Sequence, residues 1–389
     1  MGAQRGERPY PLILYYLLFF MAVGVSLPFM PGYFKTLGFS GTESGTLLAV
    51  GPTFALFMPP LWGQLADRTG RPGLVLLMST LGGVLGYGLL AGATTFTQAL
   101  IALSVHAAFA TSITSLADTL ALHHVQQHGG TYAGIRTWGS LGFVLASLPF
   151  GFLINEVDRT TVWVPLVLLS SAAVACGLTL ARLPGRFHEG PRPSFQSALA
   201  LAKQPAVFLF LLATCLHWIA CAPYHGSLAP HVKDLGLPPW VVGLSSSVGV
   251  GSEMVVMITW PRWSGRLSTR TLLIGTFVAS SLRWAVMSMT SDPVVLVLAA
   301  GVHGLTFGAF YLASVEWMVA RAPGSLRATG QTLFVAATFG IGGIVGYGVS
   351  GRLYDLLGGH GLFAFAAVMA LWPAGVMALS PHPNPAVPE

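Results

Sequence analysis

Charge is what this chain has least of. Of its 389 residues only 8% are Asp, Glu, Lys or Arg, against roughly a quarter in soluble domains. A surface so poor in charge cannot keep a globule of this size dissolved, so a water-soluble enzyme or binding domain is excluded. Cysteine is almost as scarce. Cys176, Cys215 and Cys221 all sit inside apolar segments at no metal-ligand spacing, which excludes a disulfide framework and a zinc site and leaves three buried, inert thiols. No G-x-S-x-G, H-E-x-x-H or phosphate-binding loop occurs, and the few charges within apolar runs are too dispersed for a catalytic set. No enzyme is expected. The net charge of +6 makes no basic patch, so nucleic acid is not an expected partner.

What the chain has in quantity is hydrophobic side chains, at 53%, and 47 glycines. Apolar runs of about 18–25 residues, the length that crosses ~30 Å of hydrocarbon as a helix, fall near 12–34, 44–65, 73–92, 97–120, 134–155, 161–182, 205–229, 239–261, 271–289, 293–318, 328–350 and 359–380. The first is too long for a signal peptide and continues into Pro28, Pro31 and Lys35 with no small-residue cleavage site, so it is a retained helix. The reading is an all-α integral membrane protein with twelve transmembrane helices, its glycines permitting close helix approach in lipid.

Orientation follows from the positive-inside bias. With the N-terminus cytoplasmic, the inner side holds Arg5, Arg8, Arg68, Arg71, Arg182, Arg186, Arg192, Lys203, Arg262, Arg266, Arg270, Arg321 and Arg327, and the outer side only Lys35, Arg159, Lys233 and Arg352. Both termini are therefore expected in the cytoplasm of a cell whose inner (plasma) membrane holds the protein. The longest polar interruption, 183–204, separates six spans (1–182) from six (205–389, ending in a short cytoplasmic tail), a cytoplasmic central loop between two six-helix bundles. GQLADRTG at Gly63–Gly70 recurs in outline as GRLYDLLG at Gly351–Gly358, one inside and one outside, the pattern that inverted repeats produce.

Twelve spans split six and six, a basic central loop, and GQLADRTGR from Gly63 to Arg71 after the second span together resemble the major facilitator superfamily, over the whole chain. GIRTWGSLGF at Gly134–Phe143, LADTLAL at Leu116–Leu122, GSE at Gly251–Glu253, and Gln331 followed by a glycine-rich run to Gly351 resemble its branch of lactose-permease-like sugar symporters, nucleoside:proton symporters and the phenylpropionate permease. The resemblance implies the major facilitator fold and transport by alternating access. It also implies that Gly63, Asp67, Arg68, Gly70 and Arg71 form a cytoplasmic gate bracing one conformation. As residues alone, they make a charged turn whose glycines permit close packing and whose carboxylate suits an arginine fork or a helix N-terminus.

Charges within the spans are the functional candidates, since each costs about 3 kcal/mol or more unless paired or facing water. Asp118 on the fourth span and Arg136 on the fifth reach similar depth and can pair; in lactose-permease-like symporters residues so placed bind sugar, whereas the plainer reading is a structural ion pair at the membrane surface. On the second half, Glu253 and Arg283 differ in depth by roughly 6 Å at 1.5 Å per residue, and His303 lies a few residues further out. These three, with Asp118 as a fourth, are the proton-coupling candidates, protons being the coupling ion in place of any cofactor. The acid that lactose permease carries one turn beyond the histidine is Thr306 here, so coupling would rest on Glu253 or Asp118.

Arg136, Trp138, His217, Trp218, Tyr224, Trp284, Tyr311 and Gln331 are candidate substrate contacts, rings and amides able to stack on or bond a small solute; the alternative for each is ordinary helix packing. His123, His124 and His128 contain an i, i+4 pair but read as a solvated linker, and no metal site is expected. The expected function is proton-coupled uptake of a small polar or aromatic organic solute such as a sugar, nucleoside or aromatic acid, with export of drugs, siderophores or metabolites as the alternative. The lipid bilayer and a small-molecule substrate are the expected partners, and a monomer the default.

Overall fold

The computed structural model describes residues 9–182 and 195–380. The central loop 183–194 and the extreme termini lie outside the described residues. Among those described there are helices and turns and no strand. Among the described residues ten helical stretches are long and apolar enough to cross a bilayer. One of them, Arg327–Leu379 at 53 residues, reverses at Gly358, whose φ of 65° and ψ of −174° are not helical, and is two spans, 327–357 and 359–379. Tyr132–Leu153, with 22 residues, adds a further span, and the total is twelve.

Local signals explain the boundaries. The first span, Tyr10–Thr36, is a single helix despite Pro28 and Pro31 within it. The second opens on a capping box in which Ser40 accepts from the Glu43 amide while the Glu43 carboxylate accepts from that of Ser40, closing two donors a helix start leaves open. It is broken at Leu56–Phe57, just before Pro59 and Pro60, as expected where proline removes a backbone donor. Gly70, at φ 62°, closes it in the left-handed conformation. The fourth span opens on a Thr95–Gln98 box, breaks at Thr111–Ser112, and runs on to His128. The sequence predicted its end near residue 120; Gln126, Gln127 and the histidines are tolerated in an exposed helical extension. A short helix, Phe195–Ala202, precedes the seventh span, Pro205–Asp234.

Two compact units result, Met1–Glu189 with His225–Ser247, and Gly190–Tyr224 with Val248–Glu389. In the first, the first and fifth spans touch backbone to backbone: a Cβ on Gly24 would lie 2.4 Å from the Phe143 carbonyl, and one on Gly142 would lie 2.5 Å from that of Leu17. Residues 225–247 belong to this unit by contact, with Gly243 against the Ser147 carbonyl and Asp234 accepting from Lys35. In the second unit Gly342 and Gly346 bring the eleventh span onto Cys215 and Ile219 of the seventh, the same use of small residues where lipid supplies no hydrophobic drive to associate. Its core stacks Phe210 on Trp317 at 4.1 Å, with Phe334 beside them. Leu153, Leu178 and Met289 are largely exposed, as befits side chains facing hydrocarbon. The three cysteines are free, two of them buried.

Candidate functional site

In the second unit, Glu253, Arg283 and His303 converge from the eighth, ninth and tenth spans. Nη1 of Arg283 lies 3.0 Å from His303 Nδ1 and donates to Thr306 Oγ1, also at 3.0 Å. His303 Nε2 lies 2.9 Å from Glu253 Oε1. A guanidinium can only donate, so Nδ1 must accept. The imidazole proton then sits on Nε2 and points at Glu253. One tautomer satisfies both contacts, and an imidazolium would turn an N–H toward the arginine. The acid and the arginine, separated in depth on the sequence count, are joined through the histidine.

The surroundings fix this chain of groups. Arg283, 2% exposed, has its charge 4.2 Å from the Tyr224 ring and 4.5 Å from that of Trp284, distances at which cation–π attraction operates. Among the described residues its Nε and Nη2 are buried with no acceptor in hydrogen-bond geometry. Behind His303 the helix widens into a π-helical turn, Gly304–Ala309, a feature concentrated at functional sites. The Gly304 amide donates to Ser252 Oγ at 2.8 Å, and a Cβ there would stand 2.5 Å from the Ser252 carbonyl. The Thr306 carbonyl lies 3.0 Å from His217 Nε2. A second π-turn, Ala336–Ile341, lies on the eleventh span, and Trp218, Phe307 and Phe339 meet beside it.

Other candidates in this unit serve packing in the conformation seen. His217 is fully buried on Thr306, and Trp284 is 1% exposed against Phe363. Gln331 donates to the Val315 carbonyl of the tenth span at 3.1 Å, and Tyr311 joins Phe307 and Phe334. Glu316 accepts from Trp260 Nε1 at 2.6 Å.

In the first unit Asp118 and Arg136 do not form an ion pair. Asp118 instead accepts from the Tyr16 hydroxyl at 2.5 Å, and Arg136 lies over the Phe20 ring at 4.2 Å. The tyrosine, one of a run of apolar and aromatic residues in the first span, comes between them. Trp138, 40% exposed, is two residues and therefore about 200° around the helix from Arg136, so the two do not share a face. In the motif expected to form a gate, Asp67 is half-buried and Arg68 and Arg71 are exposed; a Cβ at Gly63 would meet nothing within 4 Å. The close approach beside the motif is at Gly73, where a Cβ would fall 1.8 Å from the Leu180 carbonyl. His124 and His128 stack at 4.5 Å, and no metal-holding group occurs among the described residues.

Thr306, Ser252 and Tyr16 were not candidates on sequence. The first two neighbour His303 and Glu253 in the chain, which was the available signal; Tyr16 gave none.

The model of the MFS_1 like family matches residues 11–365. The chain belongs to this family of major facilitator transporters. This MFS_1-like chain is 30% identical over 354 residues to a maltose permease of Geobacillus stearothermophilus, covering 88% of itself and 86% of that protein. It is 28% identical over 367 residues to a probable 3-phenylpropionic acid transporter of Escherichia coli, covering 92% and 94%. Among solved structures, that of the nucleoside transporter NupG superposes with a TM-score of 0.85 at 22% identity, over 95% of this chain and 98% of that one. The family member described here has the twelve-helix major facilitator fold, is a multi-pass membrane protein, and is a secondary transporter of a small molecule rather than an enzyme.

Proposed function

We propose that this transporter takes up a small polar or aromatic organic solute together with a proton, in the cytoplasmic membrane with both termini inside, and that Glu253 carries the proton. The observation supporting this reading is the Arg283–His303–Glu253 chain. Because Arg283 can only donate, His303 is held neutral and passes its N–H to the carboxylate, which leaves Glu253 as the group able to change charge. Ionised, it balances Arg283 within the unit. Protonated, it leaves the arginine charge uncompensated in a medium of low polarity. That charge is then available to a solute oxygen, so that proton and solute load together and leave together. Relatives named for maltose and phenylpropionic acid support the solute class.

The test is uptake into liposomes enclosing a pH dye, with maltose, uridine and 3-phenylpropionate as solutes, beside Glu253→Gln. A solute that drives acidification in the wild type, and that the variant exchanges without proton movement, supports the reading. Acidification that persists in Glu253→Gln removes the glutamate from the role, and solute movement without protons in either protein removes the coupling.

A further inference from the structure

The first unit holds a partly open pocket that none of the proposed coupling residues lines. It holds about 310 Å³ between the first, second and fourth spans, with Tyr87 of the third and Leu169 of the sixth also lining it. Phe19, Leu27, Met30, Leu48 and Leu103 are among its apolar lining. Both flanking helices break nearby, the second at Leu56–Phe57 and the fourth at Thr111–Ser112, with Gly51 and Thr111 on the wall.

The lining is largely apolar, and its polar side chains are Ser26, Tyr87, His106 and Thr111. His106 Nδ1 lies 2.9 Å from the Gly83 carbonyl. A carbonyl only accepts, so the ring proton is on Nδ1 and Nε2 carries a lone pair. His106 lines the pocket, and with Nδ1 committed to the third span Nε2 is the ring nitrogen left for a ligand. The ring is held in place by Tyr87, 4.1 Å away between centroids. Its backbone is held too, since a Cβ on Gly86 would stand 2.5 Å from the His106 Cα.

We propose that this cavity binds a compact amphipathic molecule of about a dozen non-hydrogen atoms, an aromatic or branched apolar body bearing one hydroxyl or N–H that donates to His106 Nε2. The size follows from volume: a dry cavity of about 150 Å³ takes benzene, and this one is about twice that. The site shares no residue with the Glu253 cluster and does not depend on coupling.

The experiment is calorimetric titration of the full chain in lipid nanodiscs with 4-phenyl-1-butanol and with butylbenzene, which lacks the hydroxyl, against empty nanodiscs. Wild type should bind the alcohol saturably and about fivefold or more tighter than the hydrocarbon, the worth of one hydrogen bond. His106→Phe keeps the stack on Tyr87 and should abolish that preference. Gly51→Leu adds a side chain whose Cβ meets no atom within 4 Å, so it leaves the fold intact and should weaken both probes by tenfold or more. Heat no greater than that of empty nanodiscs, as a cavity filled by a lipid chain would give, overturns the proposal. So does a preference surviving His106→Phe, or undiminished affinity in Gly51→Leu.

Discussion

On the coupling proposed for Glu253, Gly304→Ala should uncouple proton from solute without altering a single ionisable group. A Cβ at that position would stand 2.5 Å from the Ser252 carbonyl oxygen and 3.0 Å from Val256 Cγ2. Carbon–oxygen contacts of this kind settle near ~3.3 Å, so the eighth and tenth spans must separate there by roughly 0.8 Å. Glu253 is the residue after Ser252 and His303 the residue before Gly304, so most of that opening falls on the bond between them. Their contact, 2.9 Å in the native protein, would lengthen to about 3.7 Å, beyond a normal N–H···O bond. Strain of this kind costs typically ~1–3 kcal/mol, enough to lower the melting temperature by a few degrees while leaving a folded protein. Uptake of the transported solute and internal pH should be followed together in liposomes, with melting read from tryptophan fluorescence. The expected result is solute exchange retained and the proton-to-solute ratio reduced. A variant with wild-type melting and wild-type ratio would show that the two helices tolerate the methyl group, and that the glycine contact does not set the Glu253–His303 distance.

Three further outcomes are expected. Tyr16→Phe deprives the half-buried Asp118 carboxylate of its donor and should destabilise the protein by about 1–3 kcal/mol; a double-mutant cycle with Asp118→Asn, read by thermal unfolding, should return most of that as coupling energy. Lys35→Ala and Asp234→Ala should each change stability by less than ~1 kcal/mol, because the pair is 30% and 46% exposed, and the effect should shrink in melts at raised salt. Gly70→Ala, forced into a left-handed conformation at φ 62°, should cost about 1 kcal/mol or more, whereas Gly63→Ala, inside the helix Met58–Thr69 with nothing within 4 Å of its Cβ, should raise the melting temperature slightly.

The lengths of the apolar runs located the spans, because a bilayer of fixed thickness imposes a minimum on each helix. They were silent on what happens inside a span. The breaks at Leu56–Phe57 and Thr111–Ser112 and the two π-turns leave hydropathy unaltered, and only Pro59 and Pro60 hinted at the first. The turn at Gly358 was expected to occupy residues 351–358, but helix runs to residue 357 because Leu353, Leu356 and Leu357 favour it and a single glycine suffices to reverse the chain. Depth counting placed Glu253, Arg283 and His303 within reach of one another, since charges in hydrocarbon must find partners. The same reasoning paired Asp118 with Arg136, where a neutral hydroxyl from Tyr16 takes the carboxylate. Depth restricts which side chains can meet but does not rank a tyrosine donor against a guanidinium.

A π-turn is an α-helix that has gained one residue, and each residue of an α-helix turns the next by about 100°. The segment Gly304–Ala309 therefore sets two frames in the tenth span, one for residues up to His303 and another from Phe310 onward. Glu316 and Trp317 face where they do because of that extra residue. Deleting any one residue from the turn would rotate the half of the helix from Phe310 onward as a block, swinging Glu316 off Trp260 and Trp317 off Phe210. Aligned with a relative whose tenth helix is purely α-helical, this chain should need a one-residue gap there, and positions counted from His303 and from Arg321 should disagree by one.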